Sequence, residues 1–140
     1  MQYRRTKTFL LALAVFSLMA FAGTAIAATP MPGGVYGACK GDRCMTTLKV
    51  SANSKKIQSF SSYTKCNSVP FRRPLSLPIS RAGVFAYSGT LTDVLGTKIN
   101  VVITGKFVTA KKASGTLRYS TATCDSKVVK YSAVFGKGIG

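Results

Sequence analysis

Four cysteines (Cys39, Cys44, Cys66, Cys124) and three acids (Asp42, Asp93, Asp125) are the side chains whose types would ordinarily do chemistry in this chain. Histidine and glutamate are absent, which removes the common general base and the commonest metal ligand. A paired-carboxylate mechanism would have to recruit two of the three aspartates. Each aspartate sits in a turn-like context, where its side chain can close the local backbone. A lysine or a free thiol would need an adjacent base to act as nucleophile, and none is placed beside one. No glycine-rich phosphate loop occurs. The expectation is a protein with no catalytic site, no cofactor and no metal.

What the cysteines do depends on the compartment, and the N-terminus bears on that. Arg4, Arg5 and Lys7 precede an apolar run over 9–22, followed by small residues ending in Ala25-Ile26-Ala27. This is the layout of a signal peptide, with cleavage expected between Ala27 and Ala28. The apolar run is short of the roughly 20 residues that span a bilayer. No cysteine stands at the cut to take a lipid, and Phe9-Leu10 lies too far from Arg4-Arg5 for a twin-arginine signal. Residues 1–27 are therefore read as the leader and 28–140 as a single secreted or extracytoplasmic domain.

An oxidising compartment favours disulfides over thiolate zinc, and the spacing does not fit a zinc site. Four cysteines allow three pairings, and the sequence alone does not choose among them. The expected pairing is Cys39–Cys44, around the tight turn Lys40-Gly41-Asp42-Arg43, with Cys66–Cys124 joining the middle of the chain to its end.

Charge is the strongest compositional signal. The chain carries 20 Lys and Arg against 3 acids. Without the leader's three cations the domain keeps a net charge of about +14, which costs self-repulsion and draws it to anionic surfaces. Lys49, Lys106, Arg118 and Lys130 fall opposite the apolar positions of their runs and should point outward. Lys111-Lys112, Lys55-Lys56 and Arg72-Arg73 add paired charges.

The elements that position these residues alternate with period two, as half-buried strands do. Ile99, Val101, Ile103, Gly105 and Phe107 share one face. Leu117 and Tyr119, Leu48 and Val50, and Val129, Tyr131, Ala133 and Phe135 behave alike. Weaker runs lie near 34–38, Lys56–Tyr63, 75–79 and 84–91. Turn chemistry separates them. The expectation is an all-β fold, an antiparallel meander of seven or eight strands forming a small barrel, with a β-sandwich as the alternative. Asn67–Pro78 holds Pro70, Pro74 and Pro78, so it should be a loop or an irregular edge. Residues 28–33 should be a flexible lead-in and 136–140 a frayed tail.

The ordered series Ile103-Thr104-Gly105-Lys106-Phe107, Lys112-Ala113-Ser114-Gly115-Thr116-Leu117-Arg118, Cys124 and Val129-Lys130-Tyr131-Ser132-Ala133 resembles a group of small, uncharacterised secreted β domains of high-G+C Gram-positive bacteria. Those domains open with a Gly-x-Tyr-x-Gly element, of which Gly34-Val35-Tyr36-Gly37 is one residue short. They carry one cysteine in mid-chain and one near the end, which Cys66 and Cys124 match. The resemblance supports that pairing and implies a β fold, with Cys39 and Cys44 as an addition. It brings no functional residues.

The leading functional expectation is a non-enzymatic module that associates with an anionic envelope polymer or lipid headgroups through Lys49, Lys106, Lys111, Lys112, Arg118 and Lys130. Cations that serve only solubility are the plain alternative. Nucleic acid fits less well. Several of the rings that would stack on bases, among Tyr36, Phe60, Tyr63, Phe85, Tyr87, Phe107, Tyr119, Tyr131 and Phe135, fall on apolar faces instead. A second class is a proteinase inhibitor presenting Arg72 and Arg73 from the Pro-stiffened loop at 67–78. A ligand held inside a closed barrel is a third.

Overall fold

The computed structural model describes residues 27–92 and 95–138. The leader expected over residues 1–27 lies outside them, Ala27 excepted. The chain forms eight antiparallel strands and no helix among the described residues: β1 (Val35–Lys40), β2 (Arg43–Val50), β3 (Lys56–Thr64), β4 (Asn67–Pro78), β5 (Val84–Thr92), β6 (Lys98–Thr109), β7 (Lys112–Ser120) and β8 (Val129–Phe135). They make a single sheet ordered β4-β3-β2-β1-β8-β7-β6-β5. The sheet curls into a nearly closed barrel, with β4 and β5 in contact across a seam but not laddered. Two four-stranded meanders thus meet at β1 and β8, through the pairs Tyr36–Phe135 and Gly37–Val134.

Alternation drives the curl. On β6, Ile99, Val101, Ile103, Gly105 and Phe107 are buried while Asn100, Val102, Thr104, Lys106 and Val108 are exposed. The interior is filled by rings in edge-on contact, the geometry their quadrupoles prefer. Tyr36 meets Phe107 at 5.3 Å, and Phe60 meets Tyr131 at 5.7 Å. Phe85 lies tilted against Phe107 at 5.6 Å.

One row across the sheet explains how so many rings fit. Phe85 of β5 pairs with Gly105 of β6, Gly105 with Gly115 of β7, and Gly115 with Tyr131 of β8. The two glycines leave a trough over which the flanking rings fold. There the Tyr131 hydroxyl donates to the Thr104 carbonyl at 2.8 Å. Burial raises the Tyr131 pKa well above the ordinary phenol range, so the hydroxyl stays protonated and keeps its donor.

One local expectation resolves to the second of its two alternatives, and two need correction. Asn67–Pro78, expected as a loop or an irregular edge, is the irregular edge: a twelve-residue strand paired with β3 through a register that includes Ser59–Pro74 and Lys56–Pro78. An edge strand needs only one side of its backbone to ladder, so prolines are tolerated there. Residues 28–33 are not a loose lead-in. Gly33 donates to the Ser51 carbonyl, Ser54 Oγ to the Pro30 carbonyl, and Ala28 and Met31 pack on the core. The tail is fixed as far as Gly138: Gly136 donates to the Val35 carbonyl, and Gly138 lies against Val35 and Thr47.

Tyr36 fastens the N-terminal strap. Its hydroxyl accepts from the Met31 amide at 2.8 Å and donates to the Ala110 carbonyl at 2.6 Å. Tyr36→Phe removes both bonds while keeping the buried ring, and should cost about 1–2 kcal/mol. A urea titration reads the loss, and hydrogen exchange should accelerate at Met31 ahead of the barrel strands. Unchanged exchange there contradicts the fastening role.

Candidate functional site

In a meander, successive connections alternate between the two ends of the barrel. The β2–β3, β4–β5 and β6–β7 turns therefore share one rim with the N-terminal strap and the C-terminal tail. That rim carries Lys55, Lys56, Arg81, Lys111, Lys112 and Lys137, all exposed. No described acid lies there. Asp42 and Asp125 stand in the β1–β2 and β7–β8 connections at the opposite rim, where Thr92 and Lys98 bracket Asp93 in the chain. Asp93 itself lies outside the described residues.

The acids do not neutralise the wall either. Asp125 is committed locally, bonded by both the Nε and an Nη of Arg118 and by the Lys127 amide, with the Lys127 ammonium at 3.5 Å. The Arg118 hydrogen bonds, then the Lys127 amide, hold its carboxyl far below the usual carboxylate range. Asp125 thus closes a turn, as expected for it, and Asp42 sits in the two-residue turn between paired Lys40 and Arg43.

All fifteen described Lys and Arg side chains are exposed, so the inside-out division of charge holds without exception among them. The candidate cations do not form one cluster. Lys49 near the end of β2, Lys106 near the end of β6, and Lys111 and Lys112 in the next turn gather toward the acid-free rim. Lys106 faces Ser114 across the ladder, one diagonal step from Lys112, or about 8 Å. Arg118 and Lys130 lie toward the other rim. Lys130 pairs with Thr116, and Arg118 is engaged by Asp125. Lys55, Lys56, Arg81 and Lys137 were not among the candidate binding residues, although the first two were noted as a charged pair. The signal that finds them is the parity of the turns.

At about 8 Å in water, each like-charge pair on the rim costs about 0.5 kcal/mol, comparable to thermal energy. The fold tolerates this, and a polyanion bridging several cations would relieve it.

The remaining chemistry is structural. Cys39 is bonded to Cys44 and Cys66 to Cys124, leaving no free cysteine among the described residues. The cysteines are thereby unavailable for the zinc set weighed as the alternative. Of the possible stacking rings, Tyr36, Phe60, Phe85, Phe107, Tyr119 and Tyr131 are buried, and Tyr63 lies under the Arg43 guanidinium at 5.3 Å. The segment expected as an inhibitory loop is a strand, with the Arg72 and Arg73 backbone paired to Ser61 and Phe60.

Fold and rim together define a small, doubly disulfide-bridged, antiparallel β-barrel with one cationic end that bears no acid among the described residues. Comparison with protein-family models, with curated proteins and with solved structures finds no match. Two disulfides are compatible with an extracellular protein, and no helix among the described residues is long and apolar enough to cross a membrane.

Proposed function

We propose that this protein is a non-enzymatic, secreted module that adheres to an anionic polymer of the cell envelope through its cationic rim. The observation that carries this reading is that one rim bears cations and no described acid. Six cations stand on one end of a rigid barrel, and both described acids stand at the other. The opposite rim also carries cations, Lys40, Arg43, Lys65, Lys98 and Lys127, but there they share the surface with the described acids, which lowers its pull on a polyanion. Turns and strand ends set the backbone under five of the six and the C-terminal tail carries Lys137, so the backbone needs little ordering on binding.

The test is retention of the 28–140 domain on heparin and on isolated envelopes across a salt series. Affinity should fall linearly with the logarithm of salt concentration. A Lys55→Ser, Lys56→Ser, Lys111→Ser variant should flatten that slope by about one unit per engaged cation. A matched Lys40→Ser, Lys98→Ser, Lys127→Ser variant should flatten it far less. Equal effects from the two triples, or binding insensitive to salt, overturn the proposal.

A further inference from the structure

A cavity of about 360 Å³ opens on the cationic rim, walled by Ala28, Asn53, Lys55, Ile79 and Arg81 among others. We infer that it seats a phosphate group esterified to a small polyol, and that removal of the leader completes it by placing the Ala28 α-ammonium in its wall. The inference rests on the rim reading above and names the anion that the rim takes at this point.

Three features converge on the site. First, its cations are uncommitted: Lys55 and Arg81 are exposed and neither is in an ion pair among the described residues. Guanidinium presents a planar fork suited to phosphate oxygens, while ammonium adds a point charge beside it. Second, both walls are fixed. The β2–β3 turn is braced by Ser51 Oγ and Asn53 Oδ1, each accepting from the Lys55 amide. The Lys55 carbonyl accepts from the Ile79 amide at 2.8 Å, tying this turn to the approach of Arg81. The turn bearing Arg81 is closed by the Gly83 amide on the Ser80 carbonyl. Third, Ala28 is held in place against the core and beside Gly83, where a Cβ would come within 3.0 Å of its carbonyl oxygen.

The cavity's volume exceeds what a bare phosphate fills and falls at the small end of the range for ligand sites. Thr29, Asn53 and Ser80 line it with polar groups, which suit the hydroxyls of a glycerol- or sugar-sized unit. Among the described residues, every core residue and both disulfides lie at or beyond position 28.

The experiment titrates the 28–140 domain with glycerol 3-phosphate, inorganic phosphate and acetate at fixed ionic strength, following backbone amides by NMR. Glycerol 3-phosphate should give saturable shifts confined to Asn53–Lys55, Ser80–Arg81 and the strap. Inorganic phosphate should bind the same residues more weakly, and acetate should not saturate. Arg81→Gln and N-terminal acetylation should each weaken glycerol 3-phosphate about five-fold. Shifts spread evenly over both rims, inorganic phosphate binding as tightly as the ester, or indifference to acetylation each overturn the seat. Those outcomes leave salt-dependent retention on envelopes intact, so failure here is distinguishable from failure of the rim itself.

Discussion

Gly115→Ala should destabilise the domain by about 3 kcal/mol or prevent it from folding, the upper end of what a single added methyl costs a packed core. A Cβ on Gly115 would fall on the Thr104 carbonyl oxygen, 2.6 Å from the Tyr131 hydroxyl and 2.7 Å from the Gly105 Cα. Two of those three obstacles are backbone of the neighbouring strand, so a rotamer change gives no relief. The same substitution also displaces the hydroxyl that caps Thr104. At Gly105 the obstacle is the Phe85 ring, whose Cε2 lies 2.5 Å from the added atom. Urea midpoints provide the measurement. Ser132→Ala, on the exposed face of β8, should stay within about 0.5 kcal/mol of the parent. A Gly115→Ala protein as stable as that control would show that the trough is not needed.

Replacing Cys66 and Cys124 together by serine should cost about 4 kcal/mol, because the bridge closes a loop with a sequence separation of 58. The Cys39–Cys44 bridge closes a separation of 5 and should be worth about half as much by the same reasoning. Topology adds to the difference. Cys39 and Cys44 already face each other on paired strands. The longer bridge instead ties the β3–β4 turn of one meander to the β7–β8 connection of the other. Thermal unfolding of the two double-serine variants should rank them in that order. Equal losses, or a greater loss from the short bridge, would contradict it.

Most of the barrel was legible because its inward faces are strictly periodic. Ile99 through Phe107 on β6, Leu117 and Tyr119 on β7, and Leu48 and Val50 on β2 are buried as their alternation requires. Pattern says where a strand turns its apolar side, but not whether it lies at the centre or edge of a sheet. That is why Asn67–Pro78 read as a loop or an irregular edge: its three prolines forbid only a central position. The uncertainty propagated to the site. The parity of every later turn hangs on β4, of which the alternation marks only the weak run at 75–79. Placing Arg81 and Lys111 on the rim with Lys55 depends on that one weak run. The strap at 28–33 was missed for another reason. What holds it is the Tyr36 hydroxyl and a set of backbone bonds to Ser51 and Ala110, and neither leaves a periodic trace in the sequence.

The strand order also governs how the molecule reaches its native state. Six of its seven pairings join elements adjacent in the chain, so each can zip after a short closure with little entropy to overcome. For an all-β topology this is a low contact order, which favours rapid formation of both halves. Only the meeting of β1 with β8 must wait for nearly the entire polypeptide. The pairing of greatest sequence separation is thereby confined to a junction of two residue pairs.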